Sequence, residues 1–253
     1  MTETLGALLP PELVQTAILM FFRILPMVAL APAIGENSIP IRAKLGFSVA
    51  LLMLLLPLSA PASVAGDLVP RIAGEVMIGL VLGLLVRIFV FALQTSGAIA
   101  AHSTSLSQLL GAPAADPLPA FGSFIYLAGV CALVVMDLHV ILAGYIATSF
   151  DGFPLGSVNS IGAFGPYLSQ RFSELLGFAF SLAAPFWVLS LVYNFMLGIV
   201  NRAMPQLMVA FVGAPLITGL AILMLVFAVP GMTGTWAGAV LDYMSTGRAE
   251  TWR

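Results

Sequence analysis

Charge is the scarcest thing in this sequence, and the places where it is missing decide what the chain can fold into. Nine Lys+Arg and 11 Asp+Glu are distributed over 253 residues, and most of them fall at the edges of long apolar stretches. We read those stretches at about 13–34, 45–66, 72–101, 121–150, 175–200 and 204–231, each at least the ~20 residues a helix needs to cross a hydrocarbon core. They are continuously apolar rather than alternating, whereas the strands of a lipid-facing barrel would show a period of two. The expectation is an all-α, polytopic membrane protein with about six apolar helical runs, forming a single membrane domain over 1–253.

Composition closes off several function classes. Charged residues make up 8% of the chain, against roughly 25% for a soluble domain, and mean hydropathy is +1.09. A formal net charge of -2 leaves no basic face to neutralise a phosphate backbone, so nucleic acid is not expected as a partner. Cys131 is the one cysteine, which excludes an intrachain disulfide, and no Cys/His set has metal-ligand spacing. No Ser/His/Asp grouping, His-Glu-x-x-His helix or phosphate loop is present. The sequence therefore predicts no enzyme, no metal site and no cofactor.

The first run is expected to be a retained helix rather than a cleaved signal, because residues 1–12 carry Glu3 and Glu12 and no basic residue. Orientation does not follow from the loops. With six spans one side collects Arg71, Arg171, Arg248 and Arg253, and the other Arg42, Lys44 and Arg202. Either partners set the topology during assembly, or some runs are not simple spans. Pro26, Pro32, Pro57, Pro185, Pro215 and Pro230 lie within or at the ends of these runs. An interior proline removes a backbone hydrogen bond and bends its helix, which hydrocarbon tolerates where protein or water surrounds the break. Six together favour kinked helical hairpins packed among other subunits.

Five ionisable groups interrupt the apolar runs: Arg23 in the first, Glu75 and Arg87 in the third, Asp137 and His139 in the fourth. A charge at mid-membrane costs roughly 2.5–3.5 kcal/mol even on the lenient insertion scale. Glu75 and Arg87 are separated by about 18 Å along a helix and about 120° around it, so each needs a partner elsewhere. Arg87 with Asp137 is the expected interhelical tie, and His139 is expected to make an interhelical hydrogen bond. The same groups are also the usual parts of a proton relay, which makes a proton-coupled transporter the rival reading. Its sign would be an internal inverted repeat, and the two halves show none. Gly79-x-x-x-Gly83 provides one helix face on which another backbone can approach closely.

Between the third and fourth runs lies AHSTSLSQLLGAPAADPLPA, residues 101–120, with Asp116 as its one charge. Gly111, Pro113, Pro117 and Pro119 prevent helix in its second half. Two readings fit: an interfacial turn, or an irregular apolar segment buried in protein or lining a pore. Farther on, Asn201-Arg202-Ala203-Met204-Pro205-Gln206-Leu207 separates the last two runs into a hairpin, with proline suited to a first helical position. Arg202 can reach headgroups or a partner's carboxylate.

Three stretches together resemble the FliR family of type III secretion export-gate proteins. The first is Arg23 with Pro32, followed by Ile39-Pro40-x-Arg42-x-Lys44-Leu45-Gly46. The second is Glu75-x-x-x-Gly79-x-x-x-Gly83, leading to Gly97 and Leu106-Ser107. The third and most specific is Asn201-Arg202-x-x-Pro205-Gln206-Leu207 with Gly213 and Pro215. The likeness extends over about residues 15–230. It departs from the family at Ala210, where an aromatic is usual, and at His102-Ser103-Thr104 and Gln108-Leu109-Leu110 in the loop.

The resemblance implies a non-enzymatic gate subunit in the bacterial inner membrane at the flagellar basal body, or an injectisome counterpart. Its implied partners are FliP-like and FliQ-like subunits, an FlhB-like switch protein, unfolded export substrates and membrane lipid. Residues 1–150 would be the FliP-like part and 151–253 the FliQ-like part of a helical assembly that stands partly above the bilayer. Leu106, Leu109, Leu110, Gly111, Pro113 and Pro117 would contribute to a plug loop. Arg23, Arg42, Lys44, Glu75, Gly79, Gly83, Arg87, Asp137, Asn201, Arg202, Pro205 and Gln206 would serve packing between helices or subunits.

Overall fold

A computed structural model describes residues 10–59, 67–103, 120–156, 164–203 and 209–246. Seven α-helices account for nearly all of them: α1 (Pro11–Leu30), α2 (Ile41–Leu55), α3 (Leu68–Ser103), α4 (Ala120–Val135), α5 (Leu138–Gly152), α6 (Phe164–Ala203) and α7 (Val209–Thr246). No strand occurs among the described residues. Five helices or helical stretches are long and apolar enough to cross a membrane, and α4 with α5, bent by 73° at the break between them, meet the same measure only as a pair. The chain is thus an all-α, multi-pass membrane protein, as the apolar runs predict.

The ends of α1 and α2 follow from local chemistry. Pro11 opens α1 where its missing N–H costs nothing, and Glu12 places negative charge in the first turn. Pro32 follows the extended Ala31 that closes the helix. The buried positions Thr16, Leu19, Met20, Arg23, Ile24, Met27 and Val28 recur at helical spacing and make one inward face. Ile41–Leu55 begins directly after Pro40 and packs on α1, with a 3-10 turn at Leu56–Leu58 containing Pro57. Residues 60–66 of the second apolar run lie outside the described residues.

The fourth run is not one helix. Asp137 takes a left-handed conformation (φ 58°) between α4 and α5, which short polar side chains tolerate better than most. The sixth and seventh helices also run beyond their apolar stretches, α6 starting at Phe164 and α7 continuing to Thr246. Hydrophobicity marks where lipid or protein can cover a helix, and the helix itself continues until the backbone is interrupted.

The chain divides into two compact units that interleave along the sequence: Met1–Ile88, Val134–Arg171 and Val240–Arg253 in the first, Phe89–Leu133 and Phe172–Ala239 in the second. In the first unit α3 lies against α1 at Gly79 and Gly83. A Cβ on Gly79 would collide with the Arg23 carbonyl and come within 3.0 Å of Pro26, and one on Gly83 would stand 3.0 Å from Leu30. In the second, Gly97 and Gly122 meet backbone to backbone, where a Cβ on Gly97 would lie 3.0 Å from Gly122 Cα. The fully buried Trp236 packs by Gly129 and donates Nε1–H to the Phe89 carbonyl at 2.8 Å.

Candidate functional site

The side chains that membrane physics makes hardest to place come together in the first unit. Arg23 is fully buried on the inner face of α1, and its Nε donates to Glu75 Oε2 on α3 at 2.5 Å. Its Nη1 donates to the carbonyls of Ser149 (3.0 Å) and Phe153 (2.8 Å) at the end of α5. The guanidinium also lies over the Phe150 ring, 4.7 Å from its centroid, a cation–π contact. One cation therefore neutralises a carboxylate on a second helix and satisfies the terminal carbonyls of a third, where the helix dipole favours positive charge.

Glu75 is equally committed. Its Oε1 accepts the N–H of Gly156 at 2.7 Å. Gly156 has φ +81°, and a Cβ there would sit 2.6 Å from Nε of the buried Arg71. The left-handed backbone conformation favours glycine here, and a side chain would also displace the Arg71 guanidinium, so the turn after α5 is docked onto α3 through a glycine. In an environment without water, such a network lets two buried charges persist, because each has specific partners. The Nη2 of Arg23 is buried and makes no hydrogen bond among the described residues.

A second polar cluster organises the turn between α1 and α2. Ala33 has φ 64°, and a Cβ on Gly35 would fall 2.5 Å from the Ala29 carbonyl and 2.6 Å from that of Ala31. Lys44 is buried and donates Nζ to the Gly35 carbonyl at 2.9 Å. Glu36 accepts from Arg87 Nη1 at 2.7 Å, both side chains being about one-fifth exposed. The turn is thus held by a cation on each of two neighbouring helices, Lys44 from α2 and Arg87 from α3.

Several sequence expectations are corrected here. Arg87 pairs with Glu36, not with Asp137. Asp137 and His139 are exposed, and among the described residues neither side chain makes a hydrogen bond or ion pair, so the expected interhelical bond from His139 is absent. Glu75 finds its partner on α1. As both its oxygens accept N–H donors and Arg87 serves a different carboxylate, the four groups do not assemble into one relay.

The remaining candidates are placed as follows. Arg42 is exposed at the start of α2 and Arg202 at the end of α6. Asn201 belongs to the last turn of α6. Leu106, Leu109, Leu110, Gly111, Pro113, Pro117, Pro205 and Gln206 lie outside the described residues. No group of three or more His, Cys, Asp and Glu is arranged to hold a metal among the described residues.

Sequence reasoning missed Glu36, Gly156, Lys44's acceptor on Gly35, and Trp236. Glu36 could have been found as the one acid between the first two runs, placed where a cation buried nearby would seek it. Gly156 carried no local signal, since its role depends on a residue 81 positions away.

Comparison with known proteins matches residues 14–242 to the family of bacterial export proteins, family 1. The flagellar biosynthetic protein FliR of Caulobacter vibrioides is 30% identical over 230 residues, 88% of this chain and 92% of that protein. The protein of the same name from Aquifex aeolicus is 28% identical over 240 residues, 92% of each chain. That from Bacillus subtilis is 25% identical over 223 residues, 85% of this chain and 86% of the relative. The family match contains both ends of the Arg23–Glu75 tie and of the Arg87–Glu36 pair.

Proposed function

The chain belongs to bacterial export proteins, family 1, and from that membership we propose that it is a non-enzymatic subunit of the flagellar protein-export gate in the bacterial inner membrane. It helps to form and seal the channel through which unfolded substrates leave the cell. FliP-like and FliQ-like subunits and an FlhB-like switch protein are its partners, with residues 1–150 the FliP-like part and 151–253 the FliQ-like part.

The observation that carries this reading is the length and exposure of α6. Forty residues of helix rise about 60 Å. The apolar face from Phe172 to Ile199 takes up about 40 Å of that, roughly 38 Å along the bilayer normal at the usual tilt of about 20°, against about 30 Å of hydrocarbon. Yet Phe172, Phe180, Leu191, Phe195 and Ile199 are all exposed along it. Lipid cannot cover an apolar face that outruns the bilayer, so part of it calls for other protein chains. A gate built from several such subunits supplies them.

Sealing is assigned to Leu106, Leu109 and Leu110 with the Gly/Pro segment to Pro119, on the uncharged character of that stretch. The test is deletion of residues 108–112 in the assembled gate. Resting ion leakage through the deletion complex is the expected result, and an intact conductance barrier would overturn the assignment. Crosslinking from Leu109 to a stalled export substrate separates a channel-lining subunit from a scaffold that never meets cargo.

A further inference from the structure

The far end of α6 is barely covered by its own chain. Phe186 is its last fully buried side chain, and from 187 to 203 no residue whose burial is described is buried. On that stretch Trp187, Leu191, Asn194 and Gly198 follow the spacing i, i+4, i+7 and i+11, which places them within about 60° of one another around the helix. Leu191 is 65% exposed, and a Cβ on Gly198 would meet nothing within 4 Å. The seam therefore offers a large ring, an aliphatic side chain, a carboxamide and a bare backbone position, in the pattern by which one helix packs on another.

Asn194 decides what can cover that seam. Its Nδ2 donates to the Ser190 carbonyl at 2.8 Å and to Ser190 Oγ at 3.2 Å, so both amide hydrogens are held on the helix's own surface. Its Oδ1 accepts from no donor among the described residues. Acyl chains would leave that oxygen without a partner, which is costly in hydrocarbon. Water would satisfy it but would wet Trp187 and Leu191 as well, and contiguous apolar surface is driven out of water. The conflict is the same whether this end of α6 lies inside the bilayer or above it. A protein helix that brings apolar side chains and one hydrogen-bond donor resolves both halves.

A second copy of this chain is a poor occupant. Paired across a two-fold axis, two Asn194 side chains would bring two acceptor oxygens together while their hydrogens are already engaged. The complementary partner carries a positive partial charge at that point: a hydroxyl, amide, indole or ammonium hydrogen on an otherwise apolar helix.

We propose that Trp187, Leu191, Asn194 and Gly198 seat a helix of a different subunit, and that Asn194 Oδ1 accepts a hydrogen bond from it and so fixes the register of the two helices. A single polar position in an apolar seam sets register in this way in coiled coils. The inference rests on the reading of α6 as a surface covered by other chains of the gate, and it names the chemistry of the chain that covers this end.

The test is photocrosslinking in the purified native assembly, with benzoylphenylalanine in place of Leu191. The expected product joins position 191 to a single site on one helix of a different subunit, with a donor side chain within one turn of that site. N194L should spread the crosslink over neighbouring turns. It should also weaken recovery of the crosslinked subunit on copurification by about 3- to 30-fold, the worth of one interhelical hydrogen bond. The N194L chain alone should melt no lower than the parent, because the Asn194 side chain bonds only within its own helix. Other results overturn the proposal. Adducts with lipid alone, or none, would leave the seam to acyl chains or water, and a crosslink between two copies of this chain would make it a self-contact. A site with no donor within a turn, or one that N194L leaves in place with recovery unchanged, would remove Asn194 from the register. If N194L displaces the crosslink but the crosslinked subunit comes from an assembly other than a flagellar export gate, the register contact stands and the gate reading fails.

Discussion

A methyl group added to Gly79 on α3 would collide with the Arg23 carbonyl and touch Pro26, whereas one added to Gly231 on α7 would meet nothing within 4 Å. The same contrast holds more widely. In the first unit, Gly35, Gly79, Gly83 and Gly156 are all in close contact, and buried polar ties surround them. On α6 and α7 in the second unit, Gly177, Gly198, Gly219, Gly231, Gly234 and Gly238 are open. Burial follows suit: 61% of the most apolar window of α3 is inside the chain, against 28% for α6. Small residues in membrane helices allow close approach of another backbone. Between α1 and α3 the chain has used that capacity on itself, and on α6 and α7 it remains available to something else.

Removing one member of the buried tie should break this contrast most. Arg23→Ala or Glu75→Ala strands a buried charge, which costs about 3–5 kcal/mol, and also releases the end of α5 or the turn at Gly156. We expect either variant to lose most of its folded yield in mild detergent. The double variant R23L/E75L should recover part of it, because replacing both ions with apolar groups avoids the stranded charge. Folded yields for both single variants equal to the parent's would mean the first unit is held by apolar packing alone.

Gly79→Val probes the same region without touching charge. With the Arg23 carbonyl in the way, α1 must move from α3, at a cost of about 1–3 kcal/mol. Displacing α1 also stretches the Arg23–Glu75 bond, so the loss should be smaller in R23L/E75L than in the parent. Thermal unfolding in detergent reads both values, and strict additivity would show that glycine contact and ion pair stabilise separately.

How far the sequence disclosed this arrangement differs between its layers. Continuous apolar runs bounded by charge were enough for an all-α membrane fold, because in hydrocarbon only an internally bonded backbone is tolerated. They were not enough for the break at Asp137, since a left-handed residue inside an apolar run leaves no trace in hydropathy. Arg23 and Glu75 stood out as groups lipid cannot satisfy, but their mutual pairing spans 52 positions and is set by the close fit of Gly79 on α1. Arg87 was assigned to the wrong carboxylate for a related reason. Glu36 sits in a connecting turn, and only the folding of that turn through Ala33 and Gly35 carries it to α3. The carbonyls of Ser149 and Phe153 could not be foreseen, because they become acceptors only where α5 ends.

The smallest expected effect is the most discriminating one for α6 and α7. Gly231→Ala adds a methyl group to an exposed helical position with open space around it. In the isolated chain it should raise stability by about 0.4–1 kcal/mol, since alanine restricts the unfolded chain and favours helix. In the assembled gate the sign should reverse. A partner helix seated against the glycine face would be pushed outward, and adding Gly234→Ala should deepen the loss. Thermal unfolding of the chain alone, set beside recovery of partner subunits on copurification, separates the two outcomes. Higher stability with partner recovery unchanged would assign the open glycines to lipid. The contrast with α3 would then be one of solvent rather than of assembly.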